Sequence, residues 1–224
     1  MAVIKDFGVV LREYDTGENN KRLVLLTRSH GKLTVFARGA KRTGSKLAAG
    51  LFSYNEFMIY DGGSFFSLSA VMPVHMFDGI SMNYDKFCFA CCFLEMVDKM
   101  TLASMETAET LQILLCALLE LARPDDGFRH KPSTIFAVFA IKLLKNEGFA
   151  PLVDDGAVQT GEMSLKLSPE TAQAFTYIME ANPKGMFAFA VSDDVAGQLY
   201  RAARLFVAES VDIKLKSLEM VADD

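Results

Sequence analysis

The chain has 224 residues, a formal net charge of −5, 51% apolar and 23% charged residues, enough for one large domain or two small ones with a genuine core. No stretch reaches the roughly 18 uncharged apolar residues of a membrane span. Lys5 and Asp6 interrupt the apolar run that a signal peptide needs. A cytoplasmic protein without a membrane partner is therefore expected, and the four cysteines (Cys88, Cys91, Cys92, Cys116) fit a reducing compartment. The charge is uneven: residues 1–80 hold ten Lys/Arg against seven Asp/Glu, residues 81–224 thirteen against twenty-one. Such asymmetry suggests two modules with different partners.

The first eighty residues read as β structure. "VIKDFGVVLREY" and "KRLVLLTR" are β-branched, partly alternating runs separated by the turn formers "DTGENN". "SHG" leads tightly into "KLTVFARG"; "LFSYNEFMIY" follows a basic turn, and "DGG" connects it to "SFFSLSAV". Five short strands at hairpin spacing predict a small closed barrel of the oligonucleotide/oligosaccharide-binding (OB) type over residues 1–78.

After Pro73 the period changes. "NYDKFCFACCFLEMVDKM" is apolar nearly all round and predicts a mostly buried helix. "ETAETLQILLCALLELAR" carries a leucine face and stops before Pro124. "KPSTIFAVFAIKLLKNEG" begins at Pro132 and Ser133 and ends at Gly148, a natural residue just past a helix. "SPETAQAFTYIMEAN" opens on Ser168, and "SDDVAGQLYRAARLFVAES" on Ser192 with two acids in its first turn. Residues 79–224 are thus expected to form a helical domain, with a short irregular insert around 149–167. The fold class is α+β: a five-stranded OB-type barrel followed by a helical bundle.

No enzymatic constellation emerges. His30, His75 and His130 lie in separate segments without partner spacing, and "DGG" lacks the Lys-Ser/Thr of a phosphate-cradling loop. Asp154–Asp155 read as loop polarity and Asp193–Asp194 as helix-dipole compensation. Cys88 and Cys91 spell C-x-x-C, but without a second pair or a nearby histidine they read as small buried hydrophobes. A metal-dependent enzyme built on Cys88–Cys92 is the alternative. The expectation is a protein without catalytic residues, cofactor or metal.

The strongest positive feature is "GKLTVFARGAKRTGSKLAAG", which gathers Lys32, Arg38, Lys41, Arg42 and Lys46 without one acid. Gly39 and Gly44 let backbone approach a ligand, and Thr43 and Ser45 add neutral donors. Long cations with small neighbours suit phosphate. Aromatics stand nearby at Phe36, Phe52, Tyr54 and Phe57, and a cationic track beside aromatics on a small barrel suits single-stranded nucleic acid. The competing reading is a solvated turn with the aromatics in the core.

"GKLTVFARGAKRTGSKLAAGLFSYNEF" resembles the strand–loop–strand segment of the bacterial RecO recombination mediator family. "FAVFAIKLLKNEGFAP" is similar to that family's helix ending in Gly-Phe/Tyr-x-Pro, and "AARLFVAESVDIKLKSLEMV" to its C-terminal helix and Leu-Lys-Ser ending. The resemblance implies an OB domain plus a helical domain that bind single- and double-stranded DNA, anneal complementary strands and work with RecR. It further implies an interaction with the C-terminal tail of single-stranded-DNA-binding protein, assistance to RecA, and a place at the nucleoid. Carried over by position, DNA contact falls on Lys32, Arg38, Lys41, Arg42, Lys46 and Phe52. Lys142 and Lys216–Ser217 match further family positions. An acidic, apolar-tipped tail needs an apolar groove with a cation at its rim, and Phe139, Lys142, Leu143 and Lys145 are the candidates, with Arg129 and Lys131 near in sequence. Many relatives bind zinc through two C-x-x-C pairs after the Gly-Phe-x-Pro element; here that segment has no cysteine, which excludes a thiolate site in it. A protein scaffold whose basic barrel face binds an acidic protein is the alternative function.

Overall fold

The computed structural model describes residues 2–42, 45, 47, 49–103, 106–124, 130–154, 157–160, 163–210 and 215–221. They fall into two compact units, residues 1–78 with 97–111 and residues 79–96 with 112–224.

Five strands form the first unit: β1 (Ala2–Thr16), β2 (Asn20–Thr27), β3 (Lys32–Ala37), β4 (Ser53–Asp61) and β5 (Phe66–Met76). They close into a barrel in the order β1-β2-β3-β5-β4, the connectivity of an OB barrel. Alternation decides which residues go inside. Leu23, Leu25, Val35, Ala37, Phe57, Ile59 and Leu68 fill the interior, while the residues between them face out.

β1 is long because it serves both neighbours. Its first half pairs with β4 (Ala2↔Asp61 to Val9↔Tyr54) and its second half with β2 (Gly8↔Thr27 to Thr16↔Asn20), with a bulge between Val10 and Arg12. At the changeover the backbones nearly touch. A Cβ on Gly8 would lie 2.1 Å from the Leu26 carbonyl oxygen, so only glycine fits. β5 runs on through Pro73, where the sequence pattern suggested that sheet structure ends. Its pairing with β3 is confined to Phe66 and Ser67, so at Pro73 the strand is an edge paired with β4 alone, where proline is tolerated.

The β2–β3 turn is fastened by a buried acid. Asp6 accepts from the backbone N–H of Phe7, Ser29 and His30 at 2.8, 2.9 and 3.1 Å, and His30 Nδ1 lies 2.6 Å from its Oδ2. Burial pushes the Asp6 pKa up, but the bonds from His30, Ser29 and Phe7 together outweigh it and hold the group below the ordinary carboxylate value.

The second unit is built on α4 (Pro132–Asn146), whose residues 134–144 are all buried. Phe139 of α4 meets Phe93 of α2 (Tyr84–Met100) at 4.3 Å between ring centres. α5 (Pro169–Glu180) and α6 (Asp193–Ser210) pack on α4, and α3 (Ala108–Leu121) contributes Ile113, Leu114, Ala117 and Leu118 to buried surface. A short helix, α1 (Asp78–Ser81), precedes α2. Expected caps are in place: Ser168 Oγ accepts from Thr171 N, Ser192 Oγ from Val195 N, and Gly148 follows α4 at φ +87°. The irregular insert expected at 149–167 is instead a three-stranded antiparallel sheet, β6 (Leu152–Asp154), β7 (Ala157–Thr160) and β8 (Met163–Lys166), with Val158 fully buried. No helix among the described residues is long and apolar enough to cross a membrane.

Because the folded Asp6 carboxyl titrates below its unfolded value, its stabilisation is complete above the unfolded pKa of about 3.9 and disappears as pH falls through the folded value. Asp6→Asn should lower stability by roughly 1–3 kcal/mol at neutral pH in denaturant melts. The gap to wild type should hold above about pH 5 and narrow below about pH 4. A gap that widens in acid would contradict this role.

Candidate nucleic-acid interface

Register places one row of side chains across the outside of three strands. Tyr14 on β1 stands opposite Arg22 on β2, and Arg22 opposite Phe36 on β3. The guanidinium groups of Arg12 and Arg22 lie 4.7 and 4.8 Å from the centre of the Tyr14 ring, so the tyrosine holds two cations on the outer wall. Phe36 is 38% exposed. The parallel pairing of Val35 with Phe66 and Phe36 with Ser67 brings the β4–β5 turn, with Phe65 45% exposed at its tip, alongside β3.

The basic loop is pinned to the neighbouring β1–β2 turn. Gly39 N donates to Asn20 Oδ1 (2.9 Å), and Lys41 N to the Asn19 carbonyl (3.2 Å). Gly39 takes φ +72°, a conformation strained for any L side chain, and the Arg42 side chain packs 3.6 Å from where its Cβ would be. This turn presents Arg38 and Arg42 to solvent, and neither forms an ion pair with a described acid.

The six positions expected to contact DNA therefore separate. Arg38 and Arg42 are exposed. Lys41 is committed to Asp15 at 2.7 Å and to the Gly17 carbonyl at 3.5 Å. Lys32 donates to the Asp98 carbonyl at 2.5 Å and lies 3.6 Å from Asp98 Oδ1, so it is turned into the protein. Phe52 is corrected: it is 7% exposed, adopts φ +58° and accepts from Phe77 N, which makes it a packed corner rather than a stacking surface. Lys46 lies outside the described residues. Of the other aromatics, Phe57 fills the barrel and Tyr54 stacks on Phe7 at 6.0 Å.

Sequence reasoning does not find the exposed Arg22 and Phe65, or the Tyr14 ring that carries Arg22. The signal was present in "LREY", where Arg12 and Tyr14 are two apart on one face, and in Arg22 across a predicted hairpin. Reading it required the pairing register.

The groove expected for a partner's tail is also corrected. Phe139 and Leu143 are fully buried and Lys142 is 5% exposed. Lys142 Nζ donates to the Met179 carbonyl at 2.9 Å and also to the Ala181 carbonyl, and Lys145 Nζ donates to Met179 at 2.8 Å. These lysines cap the carbonyl end of α5, where a cation is favoured by the helix dipole. Arg129 lies outside the described residues. The second unit does contain a cleft of about 460 Å³ that combines Lys131, Arg201 and Arg204 with Phe89, Pro132, Tyr200 and Val221, along with Asp85 and Asp193. Lys131 pairs with Asp193 at 2.8 Å.

The cysteines lie on α2 and α3. Cys88 and Cys92 are buried, and burial, followed by the neighbouring Cys88 and Glu95, pushes the Cys91 thiol up to about 11. A thiol held that high stays protonated near neutrality and is a poor metal ligand. Among the described residues no three His, Cys, Asp or Glu side chains are grouped to hold a metal.

Comparison with known proteins resolves the family. Residues 1–77 match the model for the N-terminal part of recombination protein O, and residues 82–219 match that for its C-terminal part. The chain belongs to the recombination protein O family. It is similar to DNA repair protein RecO of Acetivibrio thermocellus, 24% identical over 99% of this chain and 97% of that protein. It is likewise similar to RecO of Symbiobacterium thermophilum, 26% identical over 99% and 97%. RecO of Bacillus pumilus is 32% identical over 68% of this chain and 58% of its own length. The family is one of DNA repair proteins.

Proposed function

We propose that this protein is a non-enzymatic recombination mediator that binds single- and double-stranded DNA, anneals complementary strands and helps RecA to load in concert with RecR. The observation that carries this reading is the exposed set Arg22, Arg38 and Arg42 on an OB barrel in a chain whose net charge is −5. At physiological salt each charge acts over about 8 Å, so a local cluster attracts phosphate even where the whole molecule is acidic. Phosphate contacts grip the strand without engaging base edges, which stay available to find a complement.

The test is annealing of complementary oligonucleotides coated with single-stranded-DNA-binding protein. Changing Arg22, Arg38 and Arg42 together to Glu should abolish annealing and reduce DNA affinity by more than about 100-fold, with unchanged circular dichroism. Annealing at the wild-type rate would overturn the reading.

The acidic, apolar-tipped tail of single-stranded-DNA-binding protein would find matching chemistry in the cleft of the second unit, with arginines beside Phe89 and Pro132. Arg201→Glu and Arg204→Glu should each weaken a labelled tail peptide by at least about tenfold in anisotropy titrations. Unchanged binding in both would remove this cleft from consideration.

A further inference from the structure

Val24 and Leu26 alternate with the interior residues Leu23 and Leu25, so they belong to the outer face of β2, and yet they are 6% and 0% exposed. Residues 97–111 belong to the same compact unit and bond to this part of the barrel. Thr107 Oγ1 donates to the Thr27 carbonyl at 2.7 Å, and Asp98 reaches two strands at once. Its Oδ2 lies 3.1 Å from Arg12 Nη2, while Lys32 Nζ binds its carbonyl. Arg12, Val24 and Thr34 form one cross-strand row and Lys32 pairs with Leu26 in another. The outer face of β1–β2–β3 thus has a closed end, held down through Asp98, and an open end carrying Tyr14, Arg22, Phe36 and Arg38.

We propose that the barrel takes a short stretch of unpaired nucleic acid at this open end, and that Asp98 sets its length by withholding Arg12 and Lys32 from the strand. The proposal rests on the DNA-binding reading above and makes it specific. Phe36 and Phe65 are exposed rings on which bases stack, and Arg22 and Arg38 are the cations beside Phe36. Beyond them the next two cations, Arg12 and Lys32, are already engaged by Asp98, Arg12 with its side chain half exposed.

The test uses the full-length protein and labelled oligothymidylates from about 4 to about 16 nucleotides, the span of site sizes known for single OB barrels. Wild-type affinity should level off at the short end of the series. Asp98→Asn should extend that length and steepen the dependence of log affinity on log salt by about 0.7 for each cation released. Glu106→Gln, an exposed acid in the same segment, makes the equal charge change and should do neither. In the wild-type background Lys32→Gln should alter affinity by about twofold or less, while Arg22→Gln and Phe36→Ala should lower it by about fivefold or more. If Asp98→Asn does not fold, this second comparison decides, and equal losses at the closed and open ends overturn the proposal. So does an Asp98→Asn protein with unchanged length dependence and slope. A wild type that binds no oligonucleotide at low salt defeats the DNA-binding reading itself; one that binds with a long footprint defeats only the length limit.

Discussion

Strand β1 has to be shared between two neighbours at a point where there is no room for a side chain. Gly8 occupies that point, bonded to β2 on one side and β4 on the other, with the Leu26 carbonyl where a Cβ would go. Closure at this position fixes the register of every other strand, because a slip by one residue would turn the whole interior outward. The register in turn decides which side chains stand together on the outside. Tyr14, Arg22 and Phe36 come from three separate stretches of sequence and become neighbours only through it.

Electrostatics then separates cations that composition treats alike. Lys41 is held by Asp15, and Arg12 and Lys32 by Asp98, while Arg22, Arg38 and Arg42 face water. Pairs of this kind contribute modestly to stability when exposed. Their larger effect here is on availability, since a cation already opposite a carboxylate has less to gain from a phosphate. The helical unit uses the same logic internally: Lys142 and Lys145 sit in or beside an apolar core because the α5 carbonyls receive their ammonium groups.

Local chemistry was readable in advance. Turn residues marked the strand ends, and Ser168, Ser192 and Gly148 marked helix ends where side-chain and backbone geometry confirm them. These features depend on residues a few positions apart. What the sequence hid depends on partners far along the chain. Lys142 looked like a surface cation because the Met179 and Ala181 carbonyls are brought to it only by packing of α5 on α4. Phe52 looked like a stacking ring because its positive φ, which turns it inward, has no signature in an aromatic residue. The insert at 149–167 lacks strong alternation, so nothing local separates its three short strands from loop.

The proposed function requires that a few exposed arginines on the barrel grip a nucleic-acid backbone against the charge of the whole molecule. Equilibrium binding of the wild-type protein to a single-stranded oligonucleotide, measured across a salt series, tests it most directly. Three phosphate contacts predict that log affinity falls linearly with log salt at a slope of about −2. A slope near zero, or no binding at low ionic strength, would contradict the account.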